Sequence, residues 1–331
     1  MKILFVFTGG TIGSVANGGI IRTDGSRPRI LLAEYERVHG ISFAYDTVEP
    51  YTALSENNTG DTLRALCACV AQNKDAGYDG IVVTHGTDTL QYTAAVLAYA
   101  FADISVPLCL VSANYPVGDA RSNAICNLRG ALRFIAEVGT PGVWVPYQNA
   151  GEPTQIHYGT RLLESIAFTD RVESAFSACY GSFDGEAAFI ASPTRCALPD
   201  ALSALGVPAF SAHAPQILCV KPYPGMAYPQ IGAAVRYILH ASFHSGTINT
   251  VSGEAQRFFA EAKEKNIPVF LTGAMRGDAY ASVGAFAALG IIPLYHISPV
   301  AAFVKLWMLS EKHESVTAEM LQASLAGDIT P

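Results

Sequence analysis

Short apolar runs alternating with longer helical patterns predict an α/β protein built on a parallel-type sheet wrapped by helices. Two further observations sharpen this. Three of the apolar runs end in turns of small and polar residues, and in such sheets the ligand crevice lies beyond the carboxyl ends of the strands. A stretch rich in Pro, Ala and Ser at 192–215 then breaks the rhythm before it resumes. The expected organisation is a large N-terminal catalytic domain at 1–191, a linker at 192–215 and a smaller α/β C-terminal domain at 216–331. A chain of 331 residues has room for two domains.

Taken in order, Lys2 to Phe7 is apolar after its lysine and ends in Thr8-Gly9-Gly10. Ile81 to Val83 ends in Thr84-His85-Gly86, and Pro107 to Val111 ends in Ser112-Ala113-Asn114. Gly142 to Val145 is a fourth strand candidate, and Asp61 to Gln72 and Leu90 to Phe101 have helical patterning. Beyond the linker, Gln216 to Val220, Tyr237 to Leu239 and Pro268 to Leu271 are strand candidates, with an amphipathic helix at Gly253 to Lys265. Helices starting near Val300 and Ser315 close the chain. Trp144 and Trp307 fit core positions.

Composition narrows the function classes. Half of the residues are apolar and 15% are charged, which supports a large core and argues against disorder. The net charge of −7 and the lack of a Lys/Arg block argue against a nucleic-acid partner. The apolar start Met1 to Phe7 is too short for a secretory signal, and no run approaches the roughly 18 apolar residues of a membrane-spanning helix. Seven cysteines, an odd number, are scattered through apolar contexts. Cys67 and Cys69 are not followed by a second pair at zinc-site spacing. They read as reduced, mostly buried thiols of a cytoplasmic protein. His240 and His244 stand four apart at a strand end and lack the third ligand a metal would need.

The candidate chemistry begins at Thr8-Gly9-Gly10-Thr11-Ile12-Gly13, where glycines let the chain turn sharply and approach a ligand. The G-x-G-x-x-G spacing of a dinucleotide site is absent, as is the Gly-Lys-Ser/Thr of a P-loop. Alone, this segment fits a plain strand-to-helix turn. The second segment, Thr84-His85-Gly86-Thr87-Asp88-Thr89, puts three hydroxyls and a carboxylate at another strand end. An Asp there suits a helix N-cap, but a cap does not account for the whole cluster. A hydroxyl is a poor nucleophile until a base removes its proton, so Thr beside Asp is chemically suggestive. His85 fits a structural member of the turn.

The ordered pair TGGTIG and THGTDT resembles the bacterial-type L-asparaginase family. Weaker likeness runs through Ser112 to Pro116, Tyr223-Pro224-Gly225 and Ser245-Gly246-Thr247. The resemblance implies hydrolysis of the side-chain amide of L-asparagine to L-aspartate and ammonia, with no metal and no organic cofactor. It implies Thr11 as nucleophile on a mobile loop, and Thr87 with Asp88 as the second threonine and its aspartate, which also holds the substrate ammonium. Ser55 and Glu56 match a loop that binds the amino-acid end, Ala113 matches a position lining the amide pocket, and Gly10 and Gly86 flank the substrate. Sites in the family are completed across an intimate dimer, usually paired into a tetramer, so a homodimer or homotetramer is expected, with Ser245 to Asn249 as the contributed turn.

Two positions depart from the family pattern. The stretch Ser14 to Thr23 holds no tyrosine after the nucleophile, and Ile21 falls nearest its place. The family lysine that completes a Thr-Asp-Lys arrangement falls on Glu164, within Gly159 to Glu164, which reverses the charge there. Arg161 or Arg171 could substitute as a cation, though not as a proton carrier. Three readings stand: an active amidohydrolase, the amidase subunit of a tRNA-dependent amidotransferase, and a binding or sensor protein that has lost efficient turnover. An amidotransferase subunit is expected to carry an extra N-terminal domain, whereas this chain begins at its first strand.

Replacing Thr11 with Ala is predicted to lower kcat about a thousandfold while the fold survives, the scale of losing a reacting group. Near-normal turnover in Thr11→Ala with loss in Thr87→Ala would reverse the assignment.

Overall fold

The computed structural model describes residues 1–9, 14–17, 20–23, 28–195, 204–277 and 280–330. Its large sheet begins with β1 (Lys2–Phe7), followed by a hairpin of β2 (Ser14–Asn17) and β3 (Ile20–Thr23), helix α1 (Pro28–His39) and β4 (Ala44–Val48). Next come α2 (Gly60–Asn73), β5 (Gly80–Thr84), α3 (Leu90–Ala100), β6 (Pro107–Val111), α4 (Ala124–Arg133) and β7 (Gly142–Gln148). Strands β8 (Thr154–Tyr158), β9 (Gly181–Phe183) and β10 (Ile190–Ala191) finish it, in the spatial order β10-β9-β8-β7-β6-β5-β1-β4.

The strands from β4 to β7 run parallel and the last three antiparallel, so the sheet is mixed at one edge. Strands β5 and β6 are buried along their whole length, as continuous Val, Ile and Leu runs covered on both faces by helices must be. The register places Phe7 beside Thr84 and Thr84 beside Val111. The three small, polar turns expected to share a site therefore leave the sheet side by side.

A second, four-stranded parallel sheet has the order β11-β12-β13-β14. Its elements are β11 (Ile217–Val220), β12 (Tyr237–Ala241), α5 (Gly253–Glu264), β13 (Val269–Ala274), α6 (Phe286–Leu289) and β14 (Ile291–Tyr295). Helices α7 (Pro299–Ser310) and α8 (Ala318–Gln322) follow. One hydrophobic cluster joins the two sheets, running from Leu4, Val83 and Leu97 to Leu294, Val304 and Leu309. The described part of the expected linker packs closely on the body. Phe210 is fully buried and stacks on Trp307 at 3.9 Å, and the Gly60 N–H donates to Ala212 O at 3.2 Å. A Cβ at Gly60 would meet Ser211 O at 1.9 Å, so only glycine fits that crossing.

Trp144 and Trp307 are both buried, as their sequence context suggests. The cysteines correct the expectation of mostly buried thiols. Of the six described, only Cys67 and Cys109 are buried and none is disulfide-bonded, while Cys126 and Cys219 reach the surface. Among the described residues, no helix is long and apolar enough to cross a membrane.

The C-terminal segment is locked to both halves by one ion pair. Lys305 Nζ on α7 lies 2.7 Å from Asp328 Oδ2 with both side chains buried. The lysine also donates to Leu321 O at 3.0 Å, and the aspartate accepts from Tyr99 Oη on α3 at 2.9 Å. Breaking one side of such a pair leaves an uncompensated buried charge, at a cost of about 3–5 kcal/mol. Asp328→Ala should lower the urea-unfolding free energy on that scale, whereas the double change Lys305→Met, Asp328→Leu should recover much of it. An unaltered midpoint for Asp328→Ala would show that the pair does not secure the tail.

Candidate active site

The site grows from three neighbouring strand ends tied to one another. Thr8 Oγ1 donates to Thr84 O at 2.6 Å, and the His85 N–H donates to Val111 O at 2.9 Å. The Ala53 N–H donates to Thr8 O at 3.0 Å, which draws the loop after β4 against the end of β1. At this contact Gly9 has φ +94°, and a Cβ there would meet Ala53 O at 2.5 Å. Glycine is required both by the backbone angle and by the close approach.

That loop carries Ser55 in a single 3-10 turn, Ser55–Asn57. Ser55 is 3% exposed and its Oγ donates to Asp88 Oδ2 at 3.3 Å. Thr89 Oγ1 donates to Ser55 O at 2.9 Å, joining the same loop to the turn after β5. Behind the turn, His85 Nδ1 lies 2.7 Å from Gly86 O. A carbonyl only accepts, so Nδ1 carries the proton and Nε2 accepts, from Thr93 Oγ1 at 2.8 Å and Asn58 Nδ2 at 3.2 Å. Asn58 Nδ2 also donates to Thr89 Oγ1 at 3.2 Å.

Thr87 and Asp88 open onto a cavity of about 380 Å³ whose wall includes Asn114, Tyr147, Ser165 and Arg171. Ser165 Oγ donates to Thr87 O at 3.3 Å. Asn114 is fixed by reciprocal bonds with Asn123, its backbone N–H reaching Asn123 Oδ1 at 3.0 Å and its Oδ1 receiving Asn123 N–H at 3.1 Å.

Of the residues singled out in the sequence, Thr87, Asp88 and Ser55 are brought together, with Gly86 buried directly behind them. Gly10 and Thr11 lie outside the described residues, as does the side chain of Ile21. Glu56 is exposed in the 3-10 turn. Ala113 is fully buried in the core, and the cavity wall at this strand end is formed by the next residue, Asn114.

The two arginines part company. Arg171 lines the cavity and pairs with Glu152 at 2.7 Å and Glu173 at 3.0 Å. Arg161 is 1% exposed, lies over the Tyr158 ring and donates from Nε to Gly327 O at 2.7 Å, so it braces the C-terminal segment and is not part of the cavity wall. Glu164 is not an unpaired reversal of charge. It accepts from Tyr92 Oη at 3.0 Å and faces Lys221, just past β11, at 3.8 Å. The sequence around Glu164 gives no sign of this cation, because the second sheet delivers it. Asn58 and Thr93 also escape sequence reasoning, because lone polar residues of a helix and its approach carry no motif, whereas Thr89 stands in the Thr84–Thr89 segment.

Burial pushes His85 down to about 4, with the Gly86 carbonyl and Asp88 pulling weakly the other way. Burial does the same to His157, also to about 4. A histidine whose folded pKa lies below its unfolded value near 6.5 leaves the unfolded state holding more protons between those limits. Stability from this source is complete above pH 6.5 and falls as pH drops towards 4. Each ring accounts for up to about 3 kcal/mol. His85→Gln should therefore flatten part of the decline in unfolding free energy between pH 6.5 and 4.5, and an unchanged slope would show that His85 is protonated as easily when folded.

Comparison with known proteins accords with this geometry. The family model described as asparaginase, N-terminal, matches residues 2–178. The L-asparaginase of Thermococcus kodakarensis is 26% identical over 100% of this chain and 99% of its own length. A glutamyl-tRNA(Gln) amidotransferase subunit of Methanosarcina mazei is 29% identical, spanning 99% of this chain and 79% of that protein. Among solved structures, L-asparaginase I of Vibrio cholerae superposes with a TM-score of 0.79 at 23% identity, covering 100% of this chain and 99% of the other, which speaks to the fold. With more than half of its length matched by the family model, this chain belongs to the asparaginase family.

Proposed function

We propose that this asparaginase-family amidase hydrolyses the side-chain amide of L-asparagine to L-aspartate and ammonia. The observation that carries the reading is Asp88, beside Thr87 and hydrogen-bonded by Ser55, at the edge of a cavity of about 380 Å³. A zwitterionic amino acid needs an anion for its ammonium and donors for its carboxylate. Asp88 supplies the first. The Ser55 hydroxyl, held to Asp88 by a long 3.3 Å bond that a ligand can displace, supplies one of the second, while Arg171 on the same wall is already paired with Glu152 and Glu173.

In this reading the Thr11 hydroxyl adds to the side-chain amide carbon as its proton is taken up. The C–N bond breaks, the leaving nitrogen departs protonated as ammonia, and water then cleaves the threonyl ester to release aspartate and restore the hydroxyl. Backbone N–H groups around Gly86 and Thr87 are suited to stabilise the tetrahedral oxyanion. Thr87 with Asp88 assists proton transfer. The working form is a homodimer or homotetramer, cytoplasmic, with the Ser245 to Asn249 turn contributed to a neighbour's site. No metal, cofactor or nucleic-acid contact enters the scheme.

The likeness to glutamyl-tRNA(Gln) amidotransferase subunits favours one second reading, in which the same amide chemistry supplies ammonia to a transfer reaction. Incubating purified protein with L-asparagine separates the possibilities. The proposal predicts equal amounts of free ammonia and aspartate from the chain alone, with L-glutamine a poorer substrate. Ammonia formed only when a partner subunit and glutamyl-tRNA are added would favour the second reading. Thermal stabilisation by L-aspartate without any release of ammonia would mark a sensor and overturn both.

A further inference from the structure

Residues 165–172 supply most of the lining of the Thr87-Asp88 cavity. They belong to one loop whose neck is closed by two contacts. Leu162 bridges Ser174, and the Leu163 N–H donates to Glu173 O at 2.9 Å. Both flanks of the loop are pinned. On one side Ser165 Oγ donates to Thr87 O at 3.3 Å. On the other, Tyr147 Oη donates to Asp170 O and the Val172 N–H to Asn149 Oδ1, each at 3.0 Å. Between the flanks, among the described residues, no hydrogen bond reaches Ile166, Ala167 or Phe168 from outside the loop.

This unpinned tip is apolar and stands in water. Ile166 is 66% exposed and Phe168 entirely so. Phe168 lies in a tight turn with φ +68°, left-handed backbone that a residue other than glycine keeps only where its surroundings hold it there. Phe176, at φ +57°, has such support, because its ring stacks on His296 at 5.6 Å. The fully exposed ring of Phe168 has none. Asp88, in the wall of the same cavity, is exposed as well. Water screens an ion pair between exposed groups and leaves it weak, so a carboxylate that is to hold an ammonium needs a cover.

We propose, on the reading that this cavity takes an amino acid, that the tip of the loop is a lid. With the cavity occupied, residues 166–168 turn inward between their pinned flanks and Phe168 packs over the ligand held by Asp88. The movement takes two apolar side chains out of water and lets Phe168 leave the left-handed region. It also removes water from around the Asp88 ion pair, which strengthens it. Phe168 is then a positioning residue, acting through the cover it provides.

A tryptophan at the tip reports the movement, since the native Trp144 and Trp307 are buried. In free Phe168→Trp the added indole should be open to quenching by acrylamide. Saturating L-aspartate, its binding followed separately by calorimetry, should protect that indole and shift its emission to the blue, and should change neither property in the parent protein. Phe168→Ala should weaken L-aspartate about tenfold, the scale of burying one aromatic side chain, and Phe168→Leu should recover part of the loss. If the indole itself blocks binding, Phe168→Ala decides alone. Three results would overturn the lid and leave the amino-acid site standing: L-aspartate bound with the indole still open to acrylamide, an indole already protected in the free protein by a neighbouring copy, or unchanged affinity in Phe168→Ala. Absence of binding heat in the parent protein as well as the variants would overturn both.

Discussion

The parallel register of three adjacent strands is the constraint on which the rest of the site depends. Phe7, Thr84 and Val111 lie in line across β1, β5 and β6, so each chain leaves the sheet at the same edge and height. Parallel strands require long crossovers, and those crossovers are the helices that bury both faces. With the faces covered, the one place left for polar chemistry is the carboxyl edge. Thr8, His85 and the loop at Ala53 are then stitched together by backbone and hydroxyl bonds of 2.6 to 3.0 Å, which turn three loose ends into one rigid wall.

Behind that wall a network of neutral polar groups is hydrogen-bonded around His85, with Asn58 Oδ1 left without a partner. His85 is fixed in a single tautomer by Gly86 O, and the burial that depresses its pKa is what lets it serve as an acceptor for Thr93 and Asn58. The result is a chain of bonds from α3 through His85, Asn58 and Thr89 to the backbone of Ser55, and so to the hydroxyl that meets Asp88. A partly satisfied polar network is costly, so each link favours one geometry for the turn. The packing of α7 on α3, with the buried Lys305–Asp328 pair, makes the second sheet part of the same body rather than a tethered appendage.

Much of this is legible in the residues. Buried parallel strands are nearly all apolar, so β1, β5 and β6 stand out, and the polar turns that end them cannot be mistaken for core. The edge strand β4, Ala-Tyr-Asp-Thr-Val, is largely exposed and carries no apolar signal. The reversal from β7 to β8 depends on a tight connection at 149–153, and local pattern does not report strand direction. Asp88 and Ser55 stand out in the sequence because their chemistry is conspicuous, and one hydrogen bond joins them in the structure. Ala113 is fully buried in the core, whereas the next residue, Asn114, lines the cavity, a difference of one position that the sequence does not report. The cation opposite Glu164 comes from beyond β11, a long-range pairing that no neighbouring segment contains.

Binding of the amino-acid end of the substrate rests on Asp88 and Ser55 in the proposed reaction. A crystal structure of the protein with L-aspartate measures this directly. The ligand is expected in the cavity of Thr87 and Asp88, its ammonium within hydrogen-bond reach of the Asp88 carboxylate and its α-carboxylate receiving the Ser55 hydroxyl. Aspartate bound with its ammonium on other groups, or lodged away from Asp88 altogether, would contradict it.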